Sequence, residues 1–251
     1  MSGEIPRLQA PDPEDGFISP AFRDDVISAL NAYPWFAVLQ GRRPEGDARF
    51  TQALATSLTT KSEERARMTV TPVRYNPKVN PDAGRATSFS ATAHALDAHT
   101  DSTFMPRPHE FVAFQFAKAD PTGGDTIMLP VEKVLERVPE DLREKAAATE
   151  FFWGHSMHPI VTDARGRQSI RFYRTQLDKS AGGALKREDR IRIADAFSEA
   201  VRSEHEDYRF HAEPGEIVLI NNTKTLHSRT AFAETSERLM FRVRSHSSLI
   251  Y

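Results

Sequence analysis

The chain has 251 residues, 39 % hydrophobic and 27 % charged, and its 33 Lys plus Arg against 35 Asp plus Glu leave a formal net charge of -2. That length suits one domain with a sizeable core, and the charge balance lacks the basic excess that nucleic-acid or anionic-membrane binding produces. Cysteine is absent, which excludes disulfides, thiolate metal sites and cysteine nucleophiles, so any metal is held by His, Asp or Glu.

Residues 1 to about 18 are polar and proline-rich without an apolar signal core, and no run reaches the ~18 apolar residues of a membrane span. A soluble, cytoplasmic protein is expected. "SPAFRDDVISALNAY" opens on Ser19-Pro20 and sets Phe22, Val26, Ile27 and Leu30 at helical spacing, and "WFAVLQG" follows as a short buried strand. "DARFTQALATSL" reads as a second helix. The stretch from about 74 to 98, opening "RYNPKVNPDAGRATSF", has no periodicity and reads as a long loop of the kind that covers a site. From Phe111 on come short β-rich runs, "FVAFQFA", "DTIML", "FFWGH", "MHPIV", "SIRFY", "EIVLI" and "RLMFRVR", separated by the turn signals "PTGG", "DARG" and "EPGE". They predict an antiparallel core. One strong helix interrupts them, "REDRIRIADAFSEAVRSEH", with Ile191, Ala194, Phe197 and Val201 on one face. Without a repeat or a shift in composition, residues 1–251 read as a single domain.

"AHTDSTF", residues 98 to 104, holds His99 and Asp101 two positions apart. Alone, this is a metal-binding pair, an acid–base pair or a polar turn. Residues i and i+2 of a strand point to the same face, so at a strand end both side chains can reach one ion. His227 in "LHSRTAF", after the buried strand of "EIVLINNTKT", is the candidate third ligand, its alternative being a histidine that caps a strand end. Two histidines and one carboxylate on one side of an octahedral Fe(II) leave three positions for co-substrate and oxygen. In "ERLMFRVRSH" a strand period puts Arg238, Met240, Arg242 and Arg244 on one face and Leu239, Phe241 and Val243 on the other. Such a face is either solvated or buried against an anion, and the short "AFAETSE" turn suggests a hairpin that brings it beside His227. A dianion that chelates iron at one end and meets an arginine at the other fits, and 2-oxoglutarate is such a molecule.

The motifs "HTD" at 99–101, "GGDTIML" at 123–129, "LHSRTAF" at 226–232 and "RLMFR" at 238–242 occur in this order, with Arg238 11 residues after His227. In them the sequence resembles the taurine dioxygenase-like (TauD/TfdA, clavaminate synthase-like) Fe(II)/2-oxoglutarate-dependent oxygenases, from about residue 20 onward. The resemblance implies a mainly β fold with flanking helices, the double-stranded β-helix or cupin-like jelly-roll barrel, in agreement with the β-rich pattern. It implies His99, Asp101 and His227 as iron ligands and catalytic centre, and Thr126 with Arg238 as the binding site for the distal carboxylate of 2-oxoglutarate. Arg242 matches a second arginine, which meets either the other carboxylate of the co-substrate or an anionic group of the substrate. The implied activity is hydroxylation of an unactivated C–H bond in a small, anionic or amino-acid-like substrate, with release of succinate and CO2. Halogenating relatives lack the carboxylate ligand, so Asp101 points to oxygenation.

Arg171 and Arg174 in "IRFYRTQLD" read either as surface ion pairs or, with Arg242, as substrate contacts. Asn221, Asn222 and Thr223 either satisfy backbone groups at a strand end or orient a metal ligand. His155 and His158 lack the helical context that would bring them together as a second metal site. The rival readings are a metal-dependent hydrolase or isomerase on a similar barrel, and a binding module with a non-catalytic metal. The first rival gives Thr126 with Arg238 no role, and the second predicts damage to a ligand or co-substrate residue, which the sequence does not show.

Overall fold

Two sheets lie between two layers of helix in the computed structural model, which describes residues 3–11, 17–42, 46–79, 90–164, 167–182, 185–203 and 208–251. The larger sheet runs in the order β1 (Arg7–Gln9), β2 (Phe36–Gln40), β13 (Ile217–Asn221), β5 (Phe111–Lys118), β15 (Leu239–Ser245), β3 (Thr69–Arg74). The smaller runs β12 (Tyr208–Phe210), β6 (Thr126–Pro130), β14 (Thr225–Arg229), β4 (Leu96–His99). Every pairing in both is antiparallel except that of β1 with β2. Among the described residues no pairing joins the two sheets, so the expected jelly-roll barrel is represented by two facing sheets, each hydrogen-bonded within itself.

The apolar pattern explains this layering. β5 and β13 are buried on both faces and read as continuous hydrophobic runs. Phe111, Ala113, Ile217 and Leu219 turn outward to pack on Val26 and Leu30 of α1 (Pro20–Leu30) and Phe50 and Leu54 of α2 (Arg49–Ser57), which the short α3 (Ser62–Ala66) follows. Their neighbours Val112, Phe114, Phe116, Val218 and Ile220 turn inward to meet Met128, Tyr208 and Phe210 of the smaller sheet. Behind that sheet, Leu129 and Leu226 pack in one cluster with α4 (Val131–Arg137), α5 (Glu140–Ala148) and α6 (Arg187–Ser203). The Ser-Pro start of α1 is a cap: Ser19 Oγ accepts from the Phe22 backbone N–H at 3.2 Å.

Several expectations change. α4 and α5 were not marked by the sequence reading, although Val131, Val134, Leu135 and Val138 keep helical spacing and Pro130 and Pro139 stand at the N-caps. The buried face of α6 is Ile193, Ala194, Phe197, Ala200 and Val201, with Ile191 at its margin. Residues 7–9 of the polar N-terminal segment are the edge strand β1. The anticipated loop of 74–98 has its last residues, Leu96 to Ala98, in β4, and 80–89 lie outside the described residues. "FFWGH", "MHPIV" and "SIRFY" contribute β7 (Phe151–Phe152), β8 (Met157–His158), β9 (Val161–Ala164) and β10 (Arg167–Ile170); with β11 (Asp178–Gly182) these form two minor sheets.

Candidate active site

His227, in the middle of β14, lies directly across the ladder from His99, the last residue of β4, and their ring centroids are 4.4 Å apart. Asp101 follows two residues later in a turn whose geometry depends on Ser102, a non-glycine residue at φ 63°. One ligand atom from each of the three side chains lies within 4.8 Å of the others. All three are at most 5 % exposed. The His99 Nδ1 lies 2.8 Å from the Asp97 carbonyl, so an N–H there leaves Nε2 with its lone pair free to coordinate. Asn222 grips the turn: its Oδ1 accepts from the Asp101 N–H at 2.7 Å, and its Nδ2 donates to the carbonyls of Asp101 at 3.0 Å and His109 at 2.8 Å.

Protonation suits metal binding. Burial, then the charges of His99 and Arg242, pushes His227 down to about 3, so its imidazole is neutral at pH 7. Burial alone would raise the Asp101 carboxyl, but the charge of Arg242 beside it holds it well below the usual carboxylate range. Arg242 Nη1 stands 3.2 Å from Asp101 Oδ1. Asp101 Oδ2 is a buried oxygen without a hydrogen-bond partner, as is His227 Nδ1 among nitrogens. Leaving such atoms bare is costly. Two neutral-capable imidazoles and an ionised carboxylate with an unspent oxygen therefore fit a divalent metal with open positions.

Two cavities meet at His99 and Arg242. The inner one runs between the sheets past Phe114, Phe116 and His227 to Thr126, Arg229 and Arg238. Arg238 is 3 % exposed and, among the described residues, has no carboxylate within ion-pair distance; its guanidinium lies over the Phe116 and Phe232 rings, with Nη2 3.4 Å from Met240 Sδ. Burial pushes it down to about 10, which leaves it charged at pH 7. Gly124 of the second motif makes room for it. Gly124 has φ +72°, and a Cβ there would sit 3.3 Å from Arg238 Nε. The outer cavity, about 230 Å³, is lined by Thr100, Asp101, Ser102, Phe104, Tyr173 and Arg244, among others.

The family described as "Taurine catabolism dioxygenase TauD, TfdA family" matches residues 13–244. The chain belongs to this family. TauD/TfdA proteins are Fe(II)- and 2-oxoglutarate-dependent oxygenases, and this one is an enzyme of that class. The fold agrees with solved structures: an asparagine oxygenase (AsnO) has TM-score 0.68 at 17 % identity, covering 91 % of this chain and 79 % of that one. The non-heme iron oxygenase OrfP, in complex with Fe and α-ketoglutaric acid, has TM-score 0.67 at 14 % identity, covering 92 % and 81 %. AAD-2 has TM-score 0.72 at 13 % identity, covering 98 % and 94 %. No curated protein matches by sequence.

Within this TauD/TfdA site the structure redistributes some of the sequence-derived roles. β15 is not a hairpin partner of β14: it crosses to the larger sheet between β5 and β3, and its basic face reaches the triad from the opposite wall. Arg171 and Arg174, read either as surface ion pairs or as substrate contacts, do not line either cavity described above. Arg171 donates to the carbonyls of Thr103, Met105 and Pro106 and so fixes the loop after Asp101, while Arg174 pairs with Asp195 of α6 at 3.4 Å. One of the two residues between them was missed. Tyr173 stacks on the His99 ring at 4.5 Å and 26°, while its neighbour Phe172 enters the core; the aromatic pair was visible, but not which member faces His99. Arg229 was also missed: it lies over the Phe232 ring and donates to the carbonyls of Ser90, Thr92 and His94.

Asn222→Ala removes the grip on the turn and leaves three buried backbone groups without partners. Loss of an outer partner of a ligand typically costs about 10–100-fold in metal affinity. Iron affinity is expected to fall within that range, with a lower unfolding temperature. Equilibrium iron titration and thermal denaturation check both, and a folded variant with unaltered affinity would reduce Asn222 to a strand-end residue.

Proposed function

We propose that the chain hydroxylates an unactivated C–H bond of a small organic molecule, with His99, Asp101 and His227 holding Fe(II) and with Arg238 and Thr126 holding the distal carboxylate of 2-oxoglutarate. The observation that carries this reading is the inner cavity, which begins at the two histidines and ends, beside a threonine, at a buried guanidinium with no carboxylate within ion-pair distance among the described residues. A hydrolytic metal site gives that arginine nothing to do.

When bound, iron with 2-oxoglutarate and O2 supplies the oxidation, which turns the co-substrate into succinate and CO2 and places one oxygen atom on the substrate. The protein supplies position. Arg238 offers a charge-assisted contact to the carboxylate, and Phe114, Phe116 and Met240 wall the inner cavity with apolar surface that excludes water. Arg242 and Asn222 hold Asp101 ionised and oriented from its side chain and its backbone. Tyr173 keeps the His99 ring in place from the outer side, where the substrate is received. We further infer that the two facing sheets are the halves of a double-stranded β-helix. The similar folds support the chemistry: the asparagine oxygenase is known with Fe(II), (2S,3S)-3-hydroxyasparagine and succinate, and OrfP with Fe and α-ketoglutaric acid.

Anaerobic addition of Fe(II) and 2-oxoglutarate to the metal-free protein tests the proposal. A visible metal-to-ligand charge-transfer band is expected, dependent on both additions. A colourless complex that still binds iron would overturn it in favour of a hydrolytic or non-catalytic metal site.

A further inference from the structure

The turn that carries Asp101 is strained, and it is held from two places. Ser102 has φ 63°, in the left-handed region that a non-glycine residue keeps only where its surroundings impose it. Asn222, the residue after β13, grips the backbone of Asp101 just before it. The Ser102 side chain is held separately: its Oγ shares a hydrogen bond of 2.7 Å with Nδ1 of His109, two residues ahead of β5. The two grips are joined, since the same Asn222 amide donates to the His109 carbonyl at 2.8 Å. His109 is 3 % exposed and is not one of the candidate ligands.

A second imidazole fixes the His109 ring. His246 stacks on it with centroids 4.7 Å apart and planes 21° apart. Glu110 holds that ring in turn: its Oε2 lies 3.0 Å from His246 Nδ1 and accepts from the Ser247 N–H at 3.1 Å, while its Oε1 accepts from Arg107 Nε at 2.7 Å. Burial, then the charges of His246 and Arg244, pushes His109 down to about 4, so at pH 7 the ring is neutral, with one donor and one acceptor nitrogen. A phenylalanine could stack on His246 and would bury no polar nitrogen. It could not hold the Ser102 hydroxyl.

We propose that His109 is a positioning residue for the metal centre: through the Ser102 hydroxyl it fixes the turn that sets where the Asp101 carboxylate stands relative to His99 and His227. This rests on the function proposed above, in which those three side chains hold Fe(II). Without His109, Asn222 still holds the Asp101 backbone, but Ser102 can relax toward an ordinary φ. A backbone rotation next to a ligand redirects its carboxylate, which is also the partner of Arg242.

Fe(II) titration of the metal-free protein, with the absorption spectrum of the Co(II)-loaded form as a report on ligand geometry, tests this. Ser102→Ala and His109→Phe are each expected to weaken Fe(II) binding at least about tenfold, the lower end of what loss of an outer partner costs, and to alter the Co(II) spectrum in the same way. The double variant should do no more than the stronger single one, because both remove the same hydrogen bond. His109→Asn, whose side-chain amide falls near the position of Nδ1, should recover part of the loss. Additive losses in the double variant, an asparagine no better than the phenylalanine, or a lower unfolding temperature with Fe(II) affinity and Co(II) spectrum unchanged each overturn the assignment. If His109→Phe does not fold, Ser102→Ala and His109→Asn decide: the assignment stands only if the first loses Fe(II) affinity and the second loses less. If the unaltered protein binds neither ion, the proposed function fails and this assignment fails with it. If it binds both but develops no charge-transfer band with 2-oxoglutarate, the proposed function alone fails.

Discussion

Replacing any one of His99, Asp101 or His227 by alanine is expected to cost more iron affinity than the about 10–100-fold that follows loss of an outer partner, and to abolish succinate formation, with the far-UV circular dichroism unchanged. The fold should survive because none of the three belongs to the apolar clusters, and the ladders that carry His99 and His227 are bonded through backbone. The variants should nonetheless differ in stability. His227→Ala removes a buried imidazole that is already neutral and has no hydrogen-bond partner at Nδ1. Asp101→Ala instead strands Arg242, whose side chain is 14 % exposed, and breaking a buried pair on one side costs about 3–5 kcal/mol. It should therefore unfold at the lowest temperature of the three, and Asp101→Asn, which keeps the shape, should recover part of that loss without recovering full iron affinity. Iron titration with thermal denaturation measures both effects. Unchanged iron affinity in any one variant removes that residue from the centre.

What the sequence made legible follows from the range of the interactions. β5 could be read because both of its faces are apolar, and β15 because its arginines alternate with Leu239, Phe241 and Val243 in a period that is local to the strand. The pairing of His99 with His227 is not local. Nothing between those positions dictates that β14 should lie between β4 and β6, and only the order of the motifs suggested that the two histidines converge. The assumption of a hairpin after His227 failed for the same reason: the short segment carries the chain from one sheet to the other, so the arginine face arrives from across the site. Arg171 and Arg229 show a different limit. Each is satisfied by main-chain carbonyls, which every residue possesses and which no side-chain pattern marks. The missed helices α4 and α5 had a readable period, but the two prolines that cap them resemble breakers.

Arg238→Met is expected to lower 2-oxoglutarate affinity at least about tenfold while leaving the ligand-free protein no less stable. The two halves of this result have one cause. Hydrogen bonds to charged groups are worth about 1.5–3 kcal/mol, and each 1.4 kcal/mol is a factor of ten in affinity. The same guanidinium, buried between Phe116 and Phe232 with no ion-pair partner among the described residues, is a cost to the folded chain until an anion arrives, and an apolar side chain of similar length relieves that cost. An arginine kept for structure would behave in the opposite way, since its removal would destabilise the ligand-free protein. Thr126→Val, which removes one hydroxyl from the same cavity, should weaken co-substrate binding by less than Arg238→Met. Arg242→Ala provides the contrast: it removes the partner of Asp101 and should act chiefly on iron affinity. Titrating 2-oxoglutarate into the iron-loaded variants by the charge-transfer band, alongside thermal denaturation of the ligand-free proteins, separates these outcomes. If Arg242→Ala weakens 2-oxoglutarate binding and Arg238→Met does not, the two arginines exchange roles, and the inner cavity no longer accounts for the co-substrate.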